Sequence, residues 1–229
     1  MSYYIHADKF FLDNTTENGG YLEITDDGKF GTYTSAKPTG KIVDYSGCYV
    51  SPGLVDAHIH GLLGHDVMDN DWNKIQEMSE GLLQAGVTSW LPTTLTASAD
   101  QLDAVCKTIG DNYQDAKGAK IQGIYFEGPF FTTEHKGAQN PKYFGDPNVE
   151  TFKRWQKSAK GLIKKIAIAP ERDGAVAFTK AISQMGVSVA LGHSDATFEQ
   201  ARASVETGAT VFTHTFNGMS GLSHHAPGM

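Results

Sequence analysis

The alternation of short apolar runs with amphipathic stretches along residues 51–229 constrains the fold more than any other feature of this sequence. Six runs have the length and composition of buried strands, and residues with helical spacing of apolar side chains separate them. The runs are GLVDAHIHG, VTSWLPT, KIQGIYFEGP, KKIAIAPE, VSVALGHS and TVFTHTFN. Repeated strand-then-helix units build parallel sheets, so the sequence predicts an α/β fold of the (β/α)₈ barrel type rather than a doubly wound sheet.

Residues 1–50 have a different pattern from the rest of the chain. Short segments rich in Tyr, Phe, Ile and Thr are separated by Asn, Gly and Asp, which predicts three or four β-strands. Asp27-Gly28 lies between two such segments and indicates a hairpin, because glycine accepts the positive φ of a tight turn. So few strands bury little surface, and we expect this piece to need a further partner.

The barrel itself is expected to be incomplete. A whole (β/α)₈ barrel typically takes about 250 residues, and residues 51–229 hold only six of the eight units. We therefore expect a chain with a β-structured portion at 1–50 and a barrel at 51–229 that is incomplete at its C-terminus.

Composition excludes several classes of function. The 19 Lys and Arg residues against 26 Asp and Glu give a net charge of −7, and no basic cluster stands out, so we expect neither nucleic-acid nor membrane binding. No apolar run reaches the roughly 18 residues of a transmembrane helix, and the first residues lack the pattern of a secretory signal. The two cysteines, Cys48 and Cys106, show no metal-pair spacing. A reducing cytoplasm is the expected location.

Histidines and one glutamate stand where barrel strands are predicted to end. His58 and His60 are two residues apart, so on a strand both side chains point the same way and can converge on one ion. Glu127, His193 and His214 follow three other strands and should reach the same rim. A lone histidine there is more often an ordinary polar group, but the His-x-His pair makes a shared metal site the better interpretation. Imidazole nitrogens with one carboxylate suit Zn²⁺ or Fe²⁺.

Several motifs resemble those of the N-acetylglucosamine-6-phosphate deacetylases, a family within the amidohydrolase superfamily. They are VSPGLVDAHIHG, YFEGPF followed by KGAQNP, APE, ALGHSDAT and THTFNGMSG, in the family's order and spacing. The resemblance implies a metal-dependent hydrolase that removes acetate from N-acetyl-D-glucosamine 6-phosphate to give D-glucosamine 6-phosphate. It also implies a cytoplasmic homodimer and makes residues 1–50 part of a small β-sandwich that both chain ends build.

The same resemblance assigns roles to individual residues. Glu127, His193 and His214 match the family's main metal ligands, and His58 and His60 match a pair that binds a second ion in some members. We therefore expect one or two divalent metal ions per chain, zinc or iron. The residues implied to contact substrate are Ala138, Gln139, Asn217, Gly218 and His225.

This sequence departs from the family pattern at three points. Gln139 stands where the family usually has His, and His225 stands where it usually has Arg. Histidine lacks the bidentate fork with which arginine grips a phosphate. The family's catalytic aspartate would follow Met229, so no residue of this chain is assigned that role, and we expect the 229 residues alone to be inactive.

Three other functions remain open. An N-acetylgalactosamine-6-phosphate deacetylase would carry the same motifs, because no residue identified above reads the sugar's C4 hydroxyl. Another amidohydrolase, such as a dihydroorotase-like cyclic amidase, would share the His-x-His barrel but usually carries a modified lysine where KKIAIAPE places Ala-Pro-Glu. A non-catalytic remnant that binds metal or sugar phosphate is the alternative from another class.

Overall fold

A computed structural model describes residues 2–229, and the chain divides into two compact units, Met1–Gly53 and Leu54–Met229. The first unit is a single five-stranded sheet. Its strands are β1 (Tyr3–Leu12), β2 (Thr15–Asn18), β3 (Tyr21–Ile24), β4 (Phe30–Thr34) and β5 (Ile42–Val50). Antiparallel partners of β1 are β2 and β3, whereas β5 runs parallel to it. The description of this unit as part of a β-sandwich stays a prediction.

The core of this first sheet follows the alternation of side chains along β1 as far as Ala7, after which a register shift against β5 between Ala7 and Lys9 accompanies the burial of Phe10. Ile5, Ala7 and Phe10 of β1 are buried together with Leu22 of β3. The predicted hairpin at Asp27-Gly28 is confirmed: β3 and β4 pair antiparallel across it, and Gly28 has φ +77°. The segments behind the sequence prediction of three or four strands coincide with β1, β3 and β4, so that prediction missed β2 and β5.

The second unit contains the six predicted barrel strands. They are β6 (Leu54–Ile59), β9 (Val87–Thr94), β11 (Ile124–Glu127), β12 (Ile163–Ile168), β13 (Ser188–Leu191) and β14 (Ala209–Phe212). All six are parallel and lie in the order β6-β9-β11-β12-β13-β14, which is their order along the chain. Short additions are the hairpin of β7 (Gly61–Leu62) with β8 (His65–Asp66), and β10 (Lys120–Ile121) beside β9. The predicted α/β fold is confirmed.

Within residues 2–229, five α-helices connect the six barrel strands. They are α1 (Trp72–Leu82), α2 (Ala99–Asn112), α3 (Val149–Ser158), α4 (Ala175–Gln184) and α5 (Phe198–Glu206). Four of them begin at a side chain that accepts a hydrogen bond from a backbone N–H of the first turn, and Ser98 and Thr197 form full capping boxes. None of the helices formed by residues 2–229 is long and apolar enough to cross a membrane.

The two faces of the parallel sheet bury different side chains. On β11, Ile124 and Phe126 join the large core against the helices, while Tyr125 joins a second cluster with Phe131, Ala167 and Ala190. Because successive side chains on a strand point to opposite faces, Glu127 lies on the same face as Tyr125. The strand ends on this inner face therefore bring the candidate ligands together.

Candidate metal centre

The carboxylate of Glu127 lies at the centre of the site. Glu127 ends β11, and its side chain is only 3% exposed. His58 Nε2 lies 3.0 Å from Glu127 Oε1, and His60 Nε2 lies 3.0 Å from Glu127 Oε2. The predicted convergence of the His-x-His pair on one point is thus observed in the geometry.

Two further imidazoles approach the same carboxylate from the ends of β13 and β14. Glu127 Oε1 lies 3.4 Å from His193 Nε2 and 3.3 Å from His214 Nε2. Both histidines have positive φ, +48° and +33°, which is uncommon for residues other than glycine. Such backbone strain concentrates at functional sites, where the surrounding structure has to hold it in place.

The orientations of the imidazole rings indicate which of their nitrogens carry protons. Nδ1 of His60, His193 and His214 faces the backbone carbonyls of Thr93, His135 and Asn217 at 3.2, 2.8 and 2.7 Å. A carbonyl can only accept, so each Nδ1 carries a proton, and in the neutral ring Nε2 keeps its lone pair. His193 Nε2 and His214 Nε2 nevertheless lie 3.1 Å apart. Two lone pairs at that distance repel, so a proton or a metal ion has to lie between them.

The donor set fits a divalent metal. Two groups have ligand atoms within 4.8 Å of one another, His58 with His60 and Glu127, and Glu127 with His193 and His214. Glu127 belongs to both groups, and its Oε1 is buried without a conventional hydrogen-bond partner. Nitrogen ligands with one carboxylate match zinc or iron, and a backbone carbonyl on the far ring nitrogen is the usual support of a metal-binding histidine.

The surroundings of Glu127 favour its negatively charged form. Burial alone would raise its pKa, but the imidazoles of His193, His58 and His60, which lie 3.0–3.4 Å from the carboxylate, outweigh burial and hold the pKa well below its usual range. Burial likewise opposes a charge on His60, yet its hydrogen bond with Glu127 and that residue's charge raise the pKa of His60 above its ordinary value. Without metal, the cluster therefore retains protons that an incoming cation has to displace.

Gln139 is part of this centre and is buried, only 2% exposed. Its side-chain Nε2 donates to Glu127 Oε2 at 2.6 Å, and its Oε1 accepts a hydrogen bond from the Thr96 backbone N–H at 2.8 Å. Both ends of the amide are thereby engaged by the protein.

The other residues predicted to contact substrate lie on the rim. Ala138 and Asn217 are exposed, while Gly218 is half-buried beside the imidazoles. A Cβ added at Gly218 would come within 3.1 Å of His214 Cε1, and φ there is +67°. His225 is exposed, and its ring lies tilted against the His224 ring with 3.8 Å between the ring centroids.

Sequence reasoning missed residues that support the ligand loops. Glu171 accepts hydrogen bonds from Ser194 Oγ at 2.6 Å and from the Asp195 backbone N–H at 2.7 Å, directly after His193. The carbonyl of His135 accepts from His193 itself. The APE motif was a signal for Glu171, but the backbone carbonyls leave no trace in the sequence.

Comparison with known proteins relates this sequence to the amidohydrolases. Residues 49–227 match the sequence profile of the Amidohydrolase family. An N-acetylglucosamine-6-phosphate deacetylase of Vibrio furnissii is 38% identical over 179 residues, which cover 78% of this chain and 45% of the relative. An N-acetylgalactosamine-6-phosphate deacetylase of Escherichia coli O157:H7 is also 38% identical, covering 78% of this chain and 48% of the relative.

A solved structure has a similar fold. A mutant N-acetyl-D-glucosamine-6-phosphate deacetylase of Mycobacterium smegmatis, in complex with N-acetyl-D-glucosamine 6-phosphate, superposes with a TM-score of 0.90 at 30% identity. The match covers 99% of this chain and 59% of that protein. The chain spans about half the length of the curated relatives it matches.

Proposed function

Because this chain belongs to the amidohydrolase family, we propose that its histidine cluster binds one or two divalent metal ions, zinc or iron, for amide hydrolysis. The observation that carries the proposal is the convergence of four imidazole Nε2 atoms on Glu127 at 3.0–3.4 Å. A bound divalent ion supplies Lewis acidity, which activates water and polarises the amide carbonyl.

We propose N-acetyl-D-glucosamine 6-phosphate as the substrate of the full gene product. The matched relatives carry that substrate in their names, and the motifs around the cluster resemble theirs. The products would be acetate and D-glucosamine 6-phosphate. In this proposal the protein is a cytoplasmic homodimer, as the resemblance implies.

The chain's own residues would divide the work as follows. Glu127 offsets the positive charge of the bound ion or ions, and backbone carbonyls keep the rings of His193 and His214 aimed at them. Asn217, through its side-chain amide, and Gly218, through its backbone N–H, would bind the sugar phosphate beside the His214 ring, with His225 and Ala138 completing the contacts. Glu127 faces four imidazoles and an amide, so it is poorly placed to accept a proton from water. Proton transfer would require another carboxylate, which the resemblance identifies as an aspartate.

The test is an assay of acetate release by the full gene product. We expect release from N-acetyl-D-glucosamine 6-phosphate, loss of activity with a chelator, recovery with Zn²⁺ or Fe²⁺, and little release from unphosphorylated N-acetylglucosamine. Equal hydrolysis of the unphosphorylated sugar would contradict the assignment of a phosphate site. Metal binding with no hydrolysis of either substrate would favour the non-catalytic remnant instead.

The galactosamine epimer is the second candidate substrate. The Escherichia coli relative named for that epimer has the same 38% identity as the glucosamine relative, so overall similarity does not favour one sugar. Comparison of kcat/KM for the two phosphorylated epimers decides between them, because discrimination between substrates is a ratio of those values. A higher value for the galactosamine compound would replace the first assignment.

A further inference from the structure

The side-chain amide of Gln139 has its orientation fixed by a backbone group. The Thr96 N–H can only donate, so the atom that faces it at 2.8 Å has to be the amide oxygen of Gln139. The NH₂ group then necessarily faces Glu127 Oε2, at 2.6 Å. Because Gln139 is only 2% exposed, water does not compete strongly for either bond.

The two oxygens of Glu127 consequently differ. Oε2 receives the amide hydrogen bond of Gln139 and also faces His60. Oε1 has no conventional hydrogen-bond partner and faces the Nε2 atoms of the other three imidazoles. One oxygen is thus anchored by the protein, whereas the other is directed into the histidine cluster.

A glutamate needs such an anchor because its terminal torsion is soft. The last side-chain torsion of glutamate is broad rather than confined to staggered wells, so an isolated carboxylate samples many rotations. Holding a ligand in its binding orientation before the ion arrives removes that ordering cost from the binding step.

We propose that Gln139 is a positioning residue, which fixes the rotation of Glu127 and thereby strengthens metal binding by the histidine cluster. It acts through its hydrogen bond to Oε2, and it is thereby held away from the substrate contact that the resemblance implies. The inference rests on the proposed metal binding and deepens it, because it assigns a residue outside the ligand set to the support of that binding.

The test compares Zn²⁺ titrations of the wild-type protein and Gln139→Met, followed by calorimetry and by metal analysis. Methionine keeps the length of the side chain but makes neither hydrogen bond. We expect zinc to bind about 10–100-fold more weakly, the usual cost of losing a group that supports a ligand. Gln122→Met is the matched control, since Gln122 is exposed and its side chain bonds only to Ser89.

The outcomes separate positioning from a merely structural role and from failure of the proposed function. Unfolding of the metal-free proteins in urea reports how much stability Gln139→Met costs by itself. A zinc affinity of Gln139→Met equal to that of the wild-type protein would overturn this inference alone. A wild-type protein that binds no Zn²⁺ would overturn the proposed function together with the inference.

Discussion

At the scale of single residues, two imidazole nitrogens 3.1 Å apart give the strongest support for the proposed metal site. His193 and His214 each have the far ring nitrogen hydrogen-bonded to a carbonyl, so the facing nitrogens offer lone pairs to the same space. A structural pair of buried histidines would instead place a donor opposite an acceptor. The arrangement is what a ligand pair requires, and it makes the effect of removing the shared carboxylate predictable.

Glu127→Gln is expected to abolish tight metal binding at both groups. The substitution keeps the shape of the side chain but removes the negative charge that the two groups share. We expect zinc affinity to fall by more than about 100-fold, because losing a ligand costs more than losing its hydrogen-bonded support. Metal content after dialysis and calorimetric titration measure the change.

Glu134→Gln provides the control for that experiment. Glu134 is exposed in the loop that follows β11, and it belongs to neither ligand group. Its substitution should leave zinc affinity unchanged. Zinc binding by Glu127→Gln at wild-type strength would show that the carboxylate is not a ligand.

Some of these residues could be predicted from the sequence and some could not. The spacing of His58 and His60 and the strand-end position of Glu127 follow from the two-residue period of a strand. The role of Gln139 depends on a hydrogen bond to the Thr96 backbone, 43 positions away, which no local pattern encodes. All five metal ligands inferred from the sequence are brought together in the structure, and their roles stay predictions.

At the scale of elements, helix α3 is fixed to its neighbours by one tryptophan. Trp155 is 1% exposed, stacks near Phe126 and Phe130, and donates from Nε1 to the Ala99 carbonyl at 2.9 Å. We expect Trp155→Ala to lower the free energy of unfolding by about 3–5 kcal/mol, because a large cavity replaces the ring. Urea unfolding measures the change.

Val176→Ala on α4 is the comparison for that substitution. Val176 is 39% exposed, so its truncation removes little buried surface and should change stability by less than about 1 kcal/mol. Similar losses for the two variants would mean that the Trp155 ring does not hold α3 in place.

A cluster of ion pairs on the surface connects α2 to the residues that follow α3. Lys107 and Lys160 lie 2.5 and 2.7 Å from the carboxylate of Asp111, and their hydrogen bonds lower the pKa of Asp111 to about 2. A carboxyl whose pKa is depressed in the folded state stabilises the protein fully at a pH above the pKa of that carboxyl in the unfolded chain, about 3.9. That contribution is lost as the pH falls through the folded pKa.

We therefore expect Asp111→Asn to be less stable than the wild-type protein near pH 7, and the difference to shrink between about pH 4 and pH 2. Urea unfolding of both proteins across this range measures it. Asp115→Asn, at an exposed position in the next turn, should show no such pH dependence. A difference that stays constant down to pH 2 would contradict the role of the two lysines.

Prediction of the elements was accurate where an apolar pattern was clear and failed where a strand was very short or its apolar pattern was interrupted. The six barrel strands follow from apolar runs separated by helical spacing. Strand β5 was missed because exposed polar residues such as Asp44 and Ser46 interrupt its apolar pattern, and its parallel partner β1 lies more than thirty residues earlier. The short hairpin of β7 and β8 gives no signal of its own.

At the scale of the whole molecule, metal binding should be visible as stability. A ligand that binds only the folded state stabilises it by about 4 kcal/mol at a thousand times its dissociation constant. We expect Zn²⁺ to raise the melting temperature of the wild-type protein in a concentration-dependent way and a chelator to reverse the rise. Scanning calorimetry with increasing zinc measures this.

The variant His193→Asn serves as the reference in that experiment, because it removes one ring from the group of Glu127, His193 and His214. Its melting temperature should rise less than that of the wild-type protein at the same zinc concentration. Equal shifts in both proteins would mean that zinc stabilises the fold from elsewhere.

The carbonyl contacts of His60, His193 and His214 also have a consequence for time rather than for free energy. Rings that are already aimed do not have to reorient when an ion arrives, so entry is limited by how fast the ion sheds its water. Differences between ligand variants should then appear mainly in how long an ion resides, as is general when one interface is altered by mutation. We therefore expect bound zinc to exchange slowly with isotopically labelled zinc in solution.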